Sequence, residues 1–381
     1  MIKIKYLKNT CPICASKNTY KFRNFLRKDI FPTNIGVTKF ELKDELCIGC
    51  GLIFSNPVPS QKSLNSFYSN KFLNKFLNPD YNIKNQIRFI KKNFNTDNKI
   101  LEIGSSNNFL VKELKSYGYR VHGYDLSNKS NLVMGKFDVV LFNHVLEHTS
   151  KPFEFLKSLK SLCKSNGFFI IEVPNSENYL KTETSVLTCE HNYHFNKYNL
   201  IKFLEKIGFK FKFHEKKLIS RKSSLRLVFQ NHLINSNNDF KKSFFSNNLD
   251  KKKIKNIKSI YTLMLNKRKN INLSLKKKYK KLENISSRNK TKFIYWGANI
   301  VFLNCYLNFS RKISKNFKLV DINYLKIKYL KLDNKKINVE NPSKYISKSN
   351  IFFICSLSWY KDIKKYLIKL KVPKKNIYPA Y

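Results

Sequence analysis

Acidic residues are scarce in this 381-residue sequence: 25 Asp and Glu stand against 74 Lys and Arg, for a net charge of +49. Such a balance ordinarily points to nucleic acid, an anionic membrane or phosphorylated ligands. Arginine is scarce too, at nine of the 74, and the lysines run through the whole chain beside Asn, Ile, Phe and Tyr. That spread is the mark of a global drift in residue usage rather than of one binding face. The interleaved Arg and aromatic motifs of RNA readers are missing, which argues against nucleic acid as the partner. No apolar run approaches the roughly 18 residues needed to cross a bilayer, and the opening MIKIKYLKNTCPIC has no apolar core of a signal peptide. A cytoplasmic protein without a membrane span is expected. Eight cysteines are too few to make a disulfide scaffold of so long a chain. What is present, 42% hydrophobic and 14% aromatic residues, is enough for the cores of two or three domains at roughly 150 residues each.

Four segments separate by pattern. Residues 1–70 hold two CxxC pairs and end in the turn-rich SNPVPSQKS. Residues 71–235 alternate short β-branched runs (KILEIG, YRVHGYDLS, FDVVLFNHV, GFFIIEVP) with amphipathic stretches, the pattern of an α/β fold with a parallel sheet. Residues 236–290 carry Lys and Asn runs with Ile254, Ile257, Ile260, Tyr261 and Met264 at helical spacing. This predicts a long solvated helix or linker rather than a core; its apolar positions suit either a dimer or the chain's own domains. Residues 291–381 resume the alternation in KFIYWGANIVFLN, FKLVDIN and NIFFICSLS, which predicts a second, smaller α/β domain.

Cys11 and Cys14 form CPIC, Cys47 and Cys50 form CIGC, and Gly51 follows. Two such knuckles supply the four thiolates that tetrahedral Zn²⁺ prefers, and four Cys leave no open position for water, so a structural zinc module is expected. Cys163, Cys189, Cys305 and Cys355 lie in or beside apolar runs and read as small core residues.

In KILEIGSSNNFL, Glu102 stands two positions before Gly104, where a strand should end and a helix begin. Glycine there lets backbone approach a ligand, and the next helix offers free N–H groups. Asp125, 21 residues on in YDLS, sits where a carboxylate can accept both hydroxyls of a ribose. FDVVLFNHVLEHTSKP and LCKSNGFFIIEVPN then complete an order over residues 95–215 that resembles class I S-adenosylmethionine-dependent methyltransferases. With the four-Cys module before it and YWGAN after it, nearly the full chain resembles the nucleotide-sugar C-methyltransferases. The resemblance implies a Rossmann-like methyltransferase domain in which Glu102, Gly104 and Ser106 line the methionine and ribose side. Asp125 would hold the ribose, while Asn143 and His144 would face the sulfonium. Two departures stand out. Asn108 replaces a further glycine of the turn, and only 12 residues separate Asp125 from Asp138, so the third strand is missing or reduced to something like NLVMG.

The segment VLTCEHNYHFNKYNL carries Glu190, His191 and Phe195 and resembles the EHxxYF stretch of the same relatives. There the His acts as general base on a carbon beside a ketone; here His191 would take that role and Glu190 would support it. His194 stands where the family has Tyr, and Thr188 replaces the family's Tyr three positions before the His. A base could equally activate a hydroxyl for O-methylation. His191 and His194 could also bind a metal, but no third ligand is legible in the sequence. His148 is expected to shape its loop, and His122, His214 and His232 have no assigned role. Gly297, alone in its turn, and Asp321 resemble a second nucleotide-type turn, expected to hold no second cofactor and to help close a nucleotide-sugar site beside Lys side chains suited to a diphosphate. The function expected is methylation of a nucleotide-linked sugar for surface glycan assembly. An RNA-modifying methyltransferase, or a non-catalytic member that binds a sugar nucleotide or a partner, stands as the alternative.

Overall fold

The computed structural model describes residues 2–33, 36–70, 81–125, 135–182, 184–215, 224–232, 249–286, 292–309, 317–332, 335–356 and 359–380. The NLVMG stretch considered for a third strand lies almost wholly outside them.

The middle of the chain builds a six-stranded sheet in the order Phe209–His214, Ser224–Asn231, Cys163–Pro174, Phe137–Asn143, Lys99–Ile103, Arg120–Tyr124. The last four run parallel, and the first two add an antiparallel hairpin against Cys163–Pro174. The parallel strands read as continuous apolar runs because both faces are covered: one by Leu156, Leu200, Phe203 and Leu204, the other by Ile87, Ile90, Leu110 and Leu114. Helix Lys197–Ile207 starts on a reciprocal cap between Asn196 and Asn199 and ends at Gly208, whose φ of 95° only glycine adopts readily. The strand that the sequence pattern did not single out is Ser224–Asn231, buried along nearly its whole length.

The N-terminal module is not a separate bead. Its strands Thr19–Lys21, Asp44–Cys47 and Ile53–Ser55 form a sheet whose fourth strand, Tyr193–His194, comes from the segment after the large sheet. Cys11, Cys47, Cys50, Leu52 and Phe54 share one apolar cluster with Leu101, Phe142 and Phe203. The far end of the chain forms a second six-stranded sheet, Tyr329–Leu332, Lys335–Glu340, Phe317–Val320, Phe293–Trp296, Ile351–Ile354, Ile377–Pro379, parallel except for its first hairpin. Cys163, Cys189, Cys305 and Cys355 are all buried in apolar surroundings.

Within the segment read as a solvated helix or linker, the described helix Lys251–Ser286 buries Ile254, Ile257, Tyr261, Met264 and Leu265 against Phe22, Leu46, Ile53, Tyr179 and Leu187. It therefore joins a core, and of the two uses open for its apolar positions it takes docking on the chain's own domains; a narrow apolar stripe is all that a helix lying on a surface needs. The stripe carries one polar group into the core. The Tyr261 hydroxyl donates to Asp44 Oδ2 at 2.8 Å and lies 3.0 Å from His194 Nε2, while the Tyr179 hydroxyl reaches His194 Nδ1 at 2.8 Å. Since Tyr261 donates to Asp44, His194 must donate from Nε2 and accept from Tyr179 at Nδ1. Burial, with the Arg27 charge adding, lowers His194 to about 3, so it is neutral.

Tyr261→Phe removes the shared hydroxyl and strands the His194 N–H. We expect a loss of about 1–3 kcal/mol of stability, read as a lower urea midpoint with unchanged slope. A midpoint equal to that of the wild type would show that the helix is not anchored here.

Candidate functional site

The cofactor-type turn is built at the C-terminal end of Lys99–Ile103. Gly104 (φ 76°) sends its N–H to Tyr124 O at 2.7 Å, and Ser106 N–H reaches Asp125 Oδ2 at 2.8 Å. The turn is therefore tied to the end of the neighbouring strand. A Cβ on Gly104 would come 2.4 Å from Val145 Cγ2, so this position accepts only glycine while Val145 stays put. Ser106 and Asn108 both hold positive φ, at 47° and 57°; Asn takes that region more easily than most residues, which explains how the turn survives without its further glycine. Glu102, Gly104, Ser106 and Asp125 are thus brought together, with Asn143 beside Glu102. Glu102 Oε2 and Asn143 Nδ2 are buried with no hydrogen-bond partner among the described residues. Burial raises the Glu102 carboxyl to about 7, with the Asn143 amide opposing and the Asp125 charge adding to the rise. Orphaned buried polar atoms beside a cradle that a Cβ would fill fit a bound polar ligand.

His144, expected to face a sulfonium, is engaged elsewhere. Its Nδ1 lies 3.0 Å from Glu147 Oε1 and its Nε2 3.2 Å from Glu172 Oε1. Arg226 continues the chain, with Nη2 2.6 Å from Glu172 Oε2 and Nη1 2.5 Å from Glu215 Oε2. Burial opposes charge on all of them, but the alternation of sign wins: Glu147 and Glu172 are each held to about 2, and His144 is lifted to about 9. His144 is a buried cation that braces the loop after Phe137–Asn143.

The acceptor-side segment is held from the N-terminal module. Arg27, fully buried, pairs with Asp44 through Nε (2.7 Å) and Nη2 (2.6 Å) and donates to Ser55 Oγ (2.8 Å). Nη1 reaches Thr188 O (2.7 Å), and Nη2 also reaches His191 O (3.0 Å). Arg268 adds a second clamp, on Leu187 O and Asp29. His191 Nδ1 lies 2.9 Å from Val186 O, and His148 Nδ1 lies 2.9 Å from Glu190 O. A carbonyl can only accept, so both rings carry their proton on Nδ1 when neutral and leave Nε2 as a lone pair. The two rings sit 5.0 Å apart, centre to centre. Burial lowers His191 well below the ordinary histidine value. Glu190 contributes its carbonyl to His148, a link that its position beside His191 did not announce. Tyr68 also packs edge-on to His148, with its phenol pushed up by burial and by the charges of Glu190 and Glu147. Arg27, Tyr68 and Glu147 escaped the motif reading. Arg27 and Tyr68 belong to an unmotified hairpin and helix, and Glu147 looked like part of a loop.

His194 is excluded as a metal partner of His191, because both of its ring nitrogens are committed to tyrosines. Cys11, Cys14, Cys47 and Cys50 converge, with sulfur atoms 3.5 Å apart for Cys11 and Cys50 and 3.4 Å for Cys14 and Cys47. No pair is disulfide-bonded. Ala15 (φ 57°) and Gly51 (φ 72°) turn the two knuckles, and four soft donors so arranged could hold one tetrahedral ion. In the second sheet, Gly297 N–H reaches Val320 O and Ala298 N–H reaches Asp321 Oδ2, a repeat of the first turn's ties. There Asn299 already accepts from Val301 and Phe302 N–H, so the helix start is satisfied by its own cap.

Residues 75–212 match the family model described as a methyltransferase domain, just over a third of the chain and the stretch that builds the large sheet and its turn. The chain carries a methyltransferase domain. No curated protein matches the sequence. Solved structures similar to the methyltransferase include one from Methanosarcina mazei described as an S-adenosylmethionine-dependent methyltransferase (18% identity, 38% of this chain and 98% of that one, TM-score 0.31). Another is the 1,6-didemethyltoxoflavin-N1-methyltransferase of Burkholderia thailandensis with S-adenosylhomocysteine (12%, 49% and 97%, TM-score 0.38). A third is the magnesium protoporphyrin IX methyltransferase of Synechocystis PCC 6803 with bound S-adenosylmethionine (14%, 39% and 77%, TM-score 0.30). Among the described residues of the methyltransferase, no helix is long and apolar enough to cross a membrane.

A histidine raised to about 9 stabilises the fold fully below about pH 6.5 and loses that contribution as pH rises through 9. The wild-type methyltransferase should therefore lose about 1–3 kcal/mol of unfolding free energy between pH 6.5 and 9.5. His144→Gln should be less stable at pH 6.5 and show a flatter alkaline decline in denaturant titrations. Parallel declines would mean that His144 is not a buried cation.

Proposed function

We propose that this methyltransferase acts on a nucleotide-linked keto-deoxy sugar for surface glycan assembly, with carbon methylation favoured over oxygen methylation. The observation that carries this reading is the hold on His191 Nδ1 by Val186 O at 2.9 Å, which leaves Nε2 as the lone pair of the neutral imidazole. Val145 links the glycine turn to this side, since it packs under Gly104 and opens the loop that carries Glu147 and His148. S-adenosylmethionine, when bound, supplies an electrophilic methyl group. Asp125 and Glu102 would hold hydroxyl and amino groups of that cofactor, the Asp125 carboxylate being already fixed by Ser106 N–H.

His191 Nε2 takes the proton from a sugar carbon whose acidity comes from the adjacent ketone, and the imidazolium so formed is stabilised by the buried Glu147 charge. His191 Nδ1 keeps its proton on Val186 O throughout, which holds the ring in the reactive tautomer. Glu190 steadies the partner ring through its carbonyl. The four cysteines hold a structural Zn²⁺, which would stiffen the module from which Arg27 reaches His191 O. The Lys-rich surface would suit the sugar's diphosphate. An RNA substrate is disfavoured by the lack of Arg and aromatic clusters, and it would show itself as tight, steeply salt-dependent RNA binding.

Calorimetry should give micromolar binding of S-adenosylmethionine and S-adenosylhomocysteine that falls at least tenfold in Asp125→Ala. His191→Ala should keep that binding and lose about 10²–10⁴-fold in turnover of a keto-sugar nucleotide. Absence of cofactor binding would make the chain a non-catalytic member. Full turnover in His191→Ala would remove the base.

A further inference from the structure

The loop after Phe137–Asn143 and the segment held by Arg27 meet in a cluster that neither motif announces alone. One ligand atom from each of Glu147, His148 and His191 lies within 4.8 Å of the others, and His148 Nε2 is 3.9 Å from Glu147 Oε1. The spare oxygen of Glu147, Oε2, is fully buried and has no hydrogen-bond partner among the described residues. Each of the three also has a partner behind it. His148 Nδ1 is tied to Glu190 O, His191 Nδ1 to Val186 O, and Glu147 Oε1 to His144 Nδ1. Backing of this kind fixes the tautomer and aim of metal-binding imidazoles and carboxylates.

We propose that Glu147, His148 and His191 form a binding site for one divalent first-row cation, separate from the four-cysteine cluster. The donor set of two neutral imidazoles and one carboxylate suits ions of borderline hardness such as Fe²⁺, Co²⁺, Ni²⁺ and Zn²⁺. Ligands on one ion at about 2.1 Å stand roughly 3–3.5 Å apart, so the side chains close by about an ångström on binding. His148 and His191 are half-buried, which leaves room for that motion. Three protein ligands leave the remaining coordination positions to water or to an oxygen of the acceptor. The cation and a proton compete for the same Nε2 lone pair of His191. The consequence for turnover therefore rests on the base assignment made above, whereas the binding itself does not.

The test is equilibrium dialysis of the untagged, full-length protein as purified against Co²⁺, with bound metal counted and the visible spectrum recorded. About one equivalent of Co²⁺ should bind, with d–d bands and without new thiolate-to-cobalt charge transfer in the near ultraviolet. His148→Ala and His191→Ala should each weaken this binding at least tenfold and leave the metal content of the cysteine cluster unchanged. His148→Asp, which restores a ligand, should recover part of the affinity. No cobalt uptake by the wild type, equal uptake by a folded His148→Ala protein, or uptake accompanied by thiolate charge transfer would overturn the site. Loss of turnover as cobalt fills the site agrees with His191 as base; a gain would dismiss the base and leave the cation site standing.

Discussion

The buried ion pair between Arg27 and Asp44 is the constraint on which the acceptor side of the molecule depends. Taking a guanidinium and a carboxylate out of water is costly and is repaid only when nearly every hydrogen-bonding group on both finds a partner. Here the partners are the point. Arg27 also donates to Ser55 and to the backbone carbonyls of Thr188 and His191, and Asp44 also accepts from Tyr261 of the long helix. Burial pushes Asp44 upward, but Arg27 holds it at about 2. One ion pair thus joins the cysteine-bearing module, the segment carrying Glu190 and His191, and the helix Lys251–Ser286.

A division of labour follows. The large sheet positions Glu102, Gly104 and Asp125 through strand ends and a glycine turn tied by its own hydrogen bonds. The histidines opposite are tied to the N-terminal module, whose sheet Tyr193–His194 joins, and to each other's loops, where Asn192 sends its side chain to His148 O and Thr149 O. The second buried chain of charges, from Glu147 through His144 and Glu172 to Arg226 and Glu215, braces the other wall of the same cleft.

The parts of this arrangement legible in the sequence were those encoded locally. The CxxC pairs and the EIG and YDLS strand ends each fit within a few residues, and the structure brings each set together. What was not legible depends on residues far apart in the chain. The partner of Arg27 is 17 positions away, and the carbonyls it holds are about 160 positions away. The helix Lys251–Ser286 looked solvated because its composition is dominated by Lys and Asn, while its burial is decided by a few apolar positions. The two glutamates that close on His144, Glu147 and Glu172, are brought to it only by the fold. The pairing of His191 with His148 instead of His194 was hidden for the same reason, since sequence proximity favours His194 and the tyrosines that occupy it come from elsewhere.

The central claim is that the N-terminal module, through Arg27, sets the acceptor-side histidines while leaving the cofactor turn alone. Carbon-13 imidazole NMR of histidine-labelled protein, with S-adenosylhomocysteine affinity measured on the same samples, tests it directly. The comparison is between the wild type and Arg27→Met/Asp44→Asn, which removes both buried charges together and so avoids stranding one. The account predicts that the His191 and His148 resonances shift and broaden in the variant, while the affinity for S-adenosylhomocysteine changes less than threefold. Unchanged His191 and His148 signals in a folded variant, or loss of cofactor binding with those signals intact, would contradict it.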